Sequence, residues 1–66
     1  MNIIDVSKVI EYSFKNGFTR AEVKVRDCKN RCHNIEFKKE FYVFEHVITI
    51  ANILGDGHRV ISLITR

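Results

Sequence analysis

Residues 41–54 read FYVFEHVITIANIL, and this stretch decides the fold of the chain. At about 100° per residue, its apolar side chains fill one half of a helical cylinder. They are Phe41, Val43, Phe44, Val47, Ile48, Ile50, Ala51 and Leu54. Gly55 follows as a stop, because glycine adopts the left-handed conformation cheaply. The stretch predicts one amphipathic helix over about residues 40–54, against which the rest of the chain packs.

Length and composition indicate a single small domain spanning residues 1–66. The chain is 45% hydrophobic and 29% charged and has no proline, as expected of a folded protein rather than a disordered one. No apolar run reaches the roughly 20 residues of a membrane span. The N-terminus lacks the pattern of a signal peptide. We therefore expect a cytoplasmic protein with reduced cysteines and no membrane partner.

Residues 3–14 allow two interpretations. As a strand, the even positions are apolar except at Lys8. As a helix capped by Asp5, the same stretch leaves Tyr12 outside its apolar stripe. The strand interpretation is favoured.

Asn16 and Gly17 favour the strand interpretation further, because both residues accept the positive φ of a type I′ hairpin turn. A two-residue turn there pairs Ile10 with Val23 and leaves Phe18, Arg20, Glu22 and Lys24 on the wet face of the sheet. The sequence thus predicts an N-terminal β-hairpin.

The remaining segments complete an α+β fold. Residues 26–34 are polar and predict a loop or the tip of a second hairpin, while Ile35 and Phe37 allow a short extra strand. Residues 58–65 predict a final strand that is apolar on both faces and therefore central in the sheet or at an interface. The expected architecture is a small antiparallel sheet, formed by the N-terminal hairpin, the C-terminal strand and a possible short strand, covered by one helix.

Candidate chemistry in the sequence is weak. Cys28, Cys32 and His33 invite a zinc hypothesis, but structural zinc needs four convergent ligands and no second ligand pair is present. The serines lie within predicted strands rather than at a glycine-flanked elbow. We expect no catalytic residues, no metal and no cofactor, and therefore a protein that is not an enzyme.

Basic residues concentrate around one predicted loop and give the candidate binding site. The formal net charge is +3, with 11 basic and 8 acidic side chains, which is milder than in most nucleic-acid-binding domains. Phe18 beside Arg20 could stack on an unpaired base. The candidate partner-binding residues are Phe18, Arg20, Lys24, Arg26, Lys29 and Arg31.

Three short motifs, Phe14-Lys15-Asn16, Phe18-Thr19-Arg20 and Glu22, resemble a group of small early proteins of T-even bacteriophages, and within it the Dmd antitoxin family. The likeness covers residues 9–27 in motif and the remainder in element order. It implies a phage-encoded protein that binds a host ribonuclease toxin directly and blocks it.

Two functions are expected from these features. The first is a binding protein that neutralises a host toxin or defence protein by direct contact, and the alternative is a small RNA- or DNA-binding domain that uses the basic 24–31 loop. We also expect a homodimer, or a chain held by its partner. The contact would be an exposed strand edge or the helix flank at Val43, Ile50 and Leu54.

Overall fold

A computed structural model describes the whole chain, from Met1 to Arg66. In chain order it contains helix α1 (Ile3–Lys15), strands β1 (Arg20–Arg26) and β2 (Cys32–Lys38), a 3₁₀ turn (Lys39–Phe41), helix α2 (Phe44–Leu54) and strand β3 (Arg59–Thr65). The strands form one antiparallel sheet in the order β2-β1-β3. The predicted α+β class is confirmed, with two helices instead of one.

Helix α1 replaces the predicted first strand, so the strand interpretation of residues 3–14 is wrong. Its N-terminus is a capping box: the Asp5 N–H donates to the Asn2 side chain at 2.8 Å, and the Asn2 N–H donates to the Asp5 carboxylate at 3.4 Å. Ile3, Val6 and Ile10 form the buried apolar stripe of the helix. Tyr12 lies outside this stripe, as the helix interpretation required, and is 69% exposed to solvent.

The predicted hairpin turn at Asn16 and Gly17 is the end of α1. The Phe18 N–H donates to the Ser13 carbonyl at 3.1 Å across the last turn, as in a Schellman motif. Gly17 has φ +99°, whereas Asn16 stays at φ −103°. The glycine therefore has the positive φ that the sequence predicted, but it ends a helix rather than joining two strands.

The hairpin of this fold joins β1 to β2, where the sequence predicted a second hairpin tip. The Asp27 N–H donates to the Arg31 carbonyl at 2.8 Å, and Asn30 adopts φ +67°, a conformation that asparagine tolerates. Residues Arg20–Arg26 pair with Cys32–Lys38 over their whole length. The possible short strand at Ile35 and Phe37 is therefore confirmed as a strand of seven residues.

Asp27 holds this turn through three hydrogen bonds to its carboxylate. The N–H groups of Lys29 and Arg31 donate to Oδ1 at 2.8 and 2.9 Å, and His33 Nε2 lies 2.8 Å from Oδ2. The His33 hydrogen bond, followed by that from the Arg31 backbone, lowers the pKa of Asp27 to about 2.

The depressed pKa of Asp27 predicts an acid-sensitive turn. A carboxyl group whose pKa is lower in the folded state stabilises the fold fully above its unfolded pKa of 3.8, and this contribution is lost as pH falls towards about 2. We expect carboxyl-carbon NMR to give Asp27 a titration midpoint near 2, with the amide signals of Lys29 and Arg31 moving at the same pH. A midpoint at 3.8 or above would contradict these hydrogen bonds.

Strand β3 lies at an edge of the sheet, so of the two predicted positions, central in the sheet or at an interface, the central one is wrong. The central strand is β1, whose Ala21, Val23 and Val25 are all fully buried. A β-bulge shifts the register opposite Lys24 and Val25, so that Val60 and Leu63 both lie on the helix-covered face despite being three residues apart. The bulge explains why apolar residues in β3 do not alternate.

Helix α2 ends at Leu54 as predicted but begins at Phe44 rather than near residue 40, and part of its apolar arc stays exposed. Val47 and Leu54 are buried, whereas Phe41 lies before the helix in the 3₁₀ turn and is 68% exposed. Leu54 is only 4% exposed and belongs to the core, so it lies beneath the predicted association flank rather than on its surface. Tyr42, just before α2, contacts Phe14 of α1 and Phe37 of β2 edge to face, with ring centroids 5.5 and 5.8 Å apart.

His58 fixes the start of α1 against the end of α2. Its Nε2 accepts a hydrogen bond from the Ile3 N–H at 3.1 Å, so the other ring nitrogen, Nδ1, has the proton and donates to the Gly55 carbonyl at 2.8 Å. His58 is a half-buried bridge between two segments far apart in the chain.

Candidate partner-binding surfaces

The face of the sheet turned away from the helices is uncovered, and we call it the open face. Side chains alternate along a strand, so the residues between the buried Ala21, Val23 and Val25 point to this face, together with their cross-strand partners. The open face consists of Arg20, Glu22, Lys24, Arg26, Cys32, Asn34, Glu36, Lys38, Arg59, the bulge residue Ile61, Ser62, Ile64 and Arg66.

Pairing arranges the open face in four rows across the three strands. The first row is Lys38–Arg20–Arg66, and the second is Glu36–Glu22–Ile64. The third row is Asn34–Lys24–Ser62, and the fourth is Cys32–Arg26–Arg59. Successive rows are about 6.7 Å apart, because each is two residues further along the strands.

The open face accounts for the positive charge of the protein. It holds six of the eleven basic and two of the eight acidic side chains, a formal charge of +4, which leaves the rest of the molecule at −1. Like charges lie directly opposite each other in the first, second and fourth rows, an arrangement that costs about 0.2–1 kcal/mol per pair. The Glu22 carboxylate relieves part of this by an ion pair with Arg66 at 3.5 Å.

Only half of the predicted binding residues lie on this face. Arg20, Lys24 and Arg26 lie on the open face. For Arg20 and Lys24 this agrees with the prediction that they lie on the solvent-facing side of their strand. Lys29 and Arg31 lie in the β1–β2 turn, where their N–H groups bind Asp27.

Phe18 lies in the α1–β1 connection rather than on a strand, which corrects the predicted stacking position beside Arg20. Lys38, Arg59 and Arg66 were not predicted, because only strand pairing brings them beside β1.

A second surface is an apolar groove between β2 and the flank of α2, which we call the edge groove. Its apolar lining is Ile35, Phe37, Phe41, Val43, Ile50 and Ile53. His46 and Thr49 lie along it on the helix side, and Asp27 and His33 lie at its far end. Val43 and Ile50 of the predicted association flank thus belong to the groove, while Leu54 contributes from the core.

The groove runs beside an unpaired strand edge. Lys39 N–H donates to Thr19 O and Asp27 N–H to Arg31 O, so the odd-numbered residues of β2 are those that exchange hydrogen bonds with β1. The backbone N–H and C=O groups of Asn34 and Glu36 consequently point out of the sheet. The opposite edge is partly occupied, since the Val60 N–H donates to the Met1 carbonyl at 2.7 Å.

Tyr42 lies at the base of the edge groove with a buried hydroxyl that has no hydrogen-bond partner. Burial, followed by the negative charge of Glu11, raises the pKa of Tyr42, and the nearby Ser7 hydroxyl acts in the opposite direction. The phenol is therefore neutral, and its ring packs between Phe14 and Phe37.

The candidate metal ligands do not converge. Cys28 and Cys32 are free thiols, His33 contacts Asp27, and no group of three or more His, Cys, Asp or Glu side chains is placed to hold a metal ion. Neither helix has the length and apolar character that crossing a membrane requires.

Comparison with protein-family models, curated proteins and solved structures finds no match for this chain. The resemblance to the Dmd antitoxin family therefore stays a prediction. The open face and the edge groove are the candidate partner-binding surfaces of this protein.

Proposed function

We propose that this protein is a non-enzymatic inhibitor that binds a partner protein through the edge groove and blocks the partner's working surface. The resemblance to the Dmd antitoxins suggests the partner, a ribonuclease toxin or another defence protein in the cytoplasm of a bacterial host. The observation that supports the proposal is an apolar groove bordered by an unpaired strand edge.

The groove provides both parts of a strand-addition site. The outward N–H and C=O groups of Asn34 and Glu36 offer backbone hydrogen bonds to an extended segment of the partner. Alternate side chains of that segment would then enter the groove against Ile35 and Ile50. Phe41 and Ile53, 68% and 78% exposed, lie at its two ends and would be covered by the partner.

The experiment compares partner capture by two pairs of substitutions. Phe41→Glu/Ile53→Glu places charge at both ends of the groove on exposed positions, so the fold should persist while partner binding is lost. Val9→Glu/Tyr12→Glu makes the same chemical change at two exposed apolar positions of α1 outside the groove. Tagged proteins are incubated with a nuclease-treated bacterial lysate, and the captured protein is identified and tested for inhibition.

The proposal predicts that the wild type and the α1 pair capture the same protein and block its activity, whereas the groove pair does neither. For a ribonuclease toxin, the activity is cleavage of RNA by the purified toxin. Equal capture by the groove pair, or capture without inhibition, would contradict the proposal.

Before it meets a partner, the same edge can pair with a second copy. A two-fold axis at Ile35 places Glu36 opposite Asn34 of the second copy and Lys38 opposite Cys32, so no like charges face each other directly. We expect sedimentation equilibrium at micromolar concentration to give twice the chain mass of 7.8 kDa. The Phe41→Glu/Ile53→Glu variant should sediment as a monomer, and a monomeric wild type would contradict this expectation.

A further inference from the structure

We propose that the open face binds double-stranded RNA across its minor groove, with the basic rows on phosphates and the acidic row on 2′-hydroxyl groups. This inference goes beyond the proposed protein-binding function, because it concerns a different surface with different chemistry. It rests on the arrangement of charge over the four rows.

A polyanion fits the open face because the face is the positive part of an otherwise slightly negative molecule. The first row holds three cations side by side, Lys38, Arg20 and Arg66, and the fourth row places Arg26 directly opposite Arg59. Only one acidic contact, from Glu22 to Arg66, relieves this repulsion. Phosphates bound between the cations would remove it.

The composition of the face favours nucleic acid over an acidic protein. The centres of protein–protein interfaces are rich in aromatic residues and poor in lysine and glutamate. The open face has no aromatic side chain and two large apolar ones, Ile61 and Ile64, whereas its central rows hold Glu22, Glu36 and Lys24. Nucleic-acid interfaces are polar and strongly basic, as this face is.

The absence of aromatic residues from the open face also selects a duplex over a single strand. Proteins that bind single strands stack the exposed bases on aromatic side chains. A duplex keeps its bases stacked inside and presents phosphates, which lysine and arginine can contact without stacking. The open face is also long enough to contact several phosphates of a duplex, since its first and fourth rows are about 20 Å apart.

The acidic row distinguishes RNA from DNA. The wide, shallow minor groove of A-form RNA displays 2′-hydroxyl groups that can donate hydrogen bonds, and DNA has none. Glu22 and Glu36 form a pair of acceptors between the basic first row and Lys24 in the third. Phosphates of the two strands would occupy the flanking rows while the carboxylates accept from the hydroxyls between them.

The test is fluorescence anisotropy with a labelled RNA duplex of about 16 base pairs, a duplex DNA and a single-stranded RNA of the same sequence. We expect the RNA duplex to bind at least fivefold more tightly than either alternative. Its log affinity should fall linearly with log salt between about 50 and 200 mM, with a slope of about −3 to −4.

Matched charge-removal variants locate the site. Lys24→Gln/Lys38→Gln removes two cations from the open face, and Lys8→Gln/Lys15→Gln removes two exposed cations from α1. For the first pair we expect roughly a tenfold or larger loss per phosphate contact at low salt and a slope smaller by about 2. The second pair should stay within about twofold of the wild type. Each single substitution is measured as well, so a folding defect in a pair leaves the test standing.

Three outcomes would overturn the proposal. Equal losses in the two variant pairs would mean that net charge alone is responsible. Equal affinity for the DNA duplex would remove the role given to Glu22 and Glu36. Displacement of the RNA by polyglutamate at the same charge concentration would show that the face binds acidic proteins instead.

Discussion

Replacing Ser7 by glutamate is expected to unfold the protein. Ser7 is fully buried on the inner stripe of α1, and its hydroxyl donates to the Ile4 carbonyl at 2.6 Å. A carboxylate there would be removed from water with no cation beside it, which costs several kcal/mol even after structural relaxation, about the whole stability of so small a domain. Circular dichroism should show a cooperative thermal transition for the wild type and none for Ser7→Glu.

Lys8→Glu is the matched control for this prediction, because it puts the same side chain one position along the helix. Lys8 is exposed, so the melting temperature of this variant should stay close to that of the wild type. In the N-terminal hairpin that the alternation suggested, the outcome would be reversed, since Lys8 would face the sheet interior and Ser7 would face water. A folded Ser7→Glu and an unfolded Lys8→Glu would therefore contradict helix α1.

Gly55→Ala should cost about 3–5 kcal/mol, from two additive causes. Gly55 ends α2 at φ 85° and ψ 169°, a backbone region that is essentially restricted to glycine. A Cβ atom at this position would also lie 2.6 Å from Cys28 Sγ, which is held close by the hydrogen bond from Cys28 N–H to Leu54 O. Urea unfolding of the variant should show the loss as a lower midpoint with an unchanged slope.

Gly17→Ala separates these two causes, because a Cβ atom at Gly17 meets nothing within 4 Å. It retains only the cost of a positive φ, about 1 kcal/mol. Adding Cys28→Ala to Gly55→Ala should recover part of the stability by removing the sulfur, but not the backbone cost. Equal losses in Gly17→Ala and Gly55→Ala would show that the contact with Cys28 has no energetic effect.

Helices α1 and α2 differ in how well the local sequence predicts them. Helix α2 could be predicted because its apolar residues recur at helical spacing over three turns and Gly55 supplies the stop. In α1 the residues alternate well enough to suit a strand, and the local signal for a helix is the Asn2–Asp5 capping box at its start. This cap involves only two residues, and the turn signal at Asn16 and Gly17 outweighed it in the prediction. That signal is ambiguous, because it occurs both between two strands and at the end of a helix.

The candidate binding surfaces also contain a part that the sequence predicts and a part that depends on the tertiary structure. The wet face of β1, with Arg20 and Lys24, follows from alternation alone, because side chains on neighbouring positions point to opposite faces. Lys38, Arg59 and Arg66 join that face only through strand order and register, which depend on contacts between residues distant in the chain. The edge groove likewise needs β2 to lie at the margin of the sheet beside α2.

By itself the sequence determined the α+β class, helix α2, the final strand and the positive φ of Gly17, since each depends on neighbouring residues whose periodicity or backbone freedom is local. Only the tertiary structure decided that α1 is a helix, that β1 is central and that the cations gather on one uncovered face. The physical reason is that burial selects among locally acceptable conformations. Val6 and Ile10 are buried when α1 packs on the sheet as a helix. The free energy of that burial, about 1.5–3 kcal/mol per side chain, exceeds the roughly 1 kcal/mol that local strand preference could contribute.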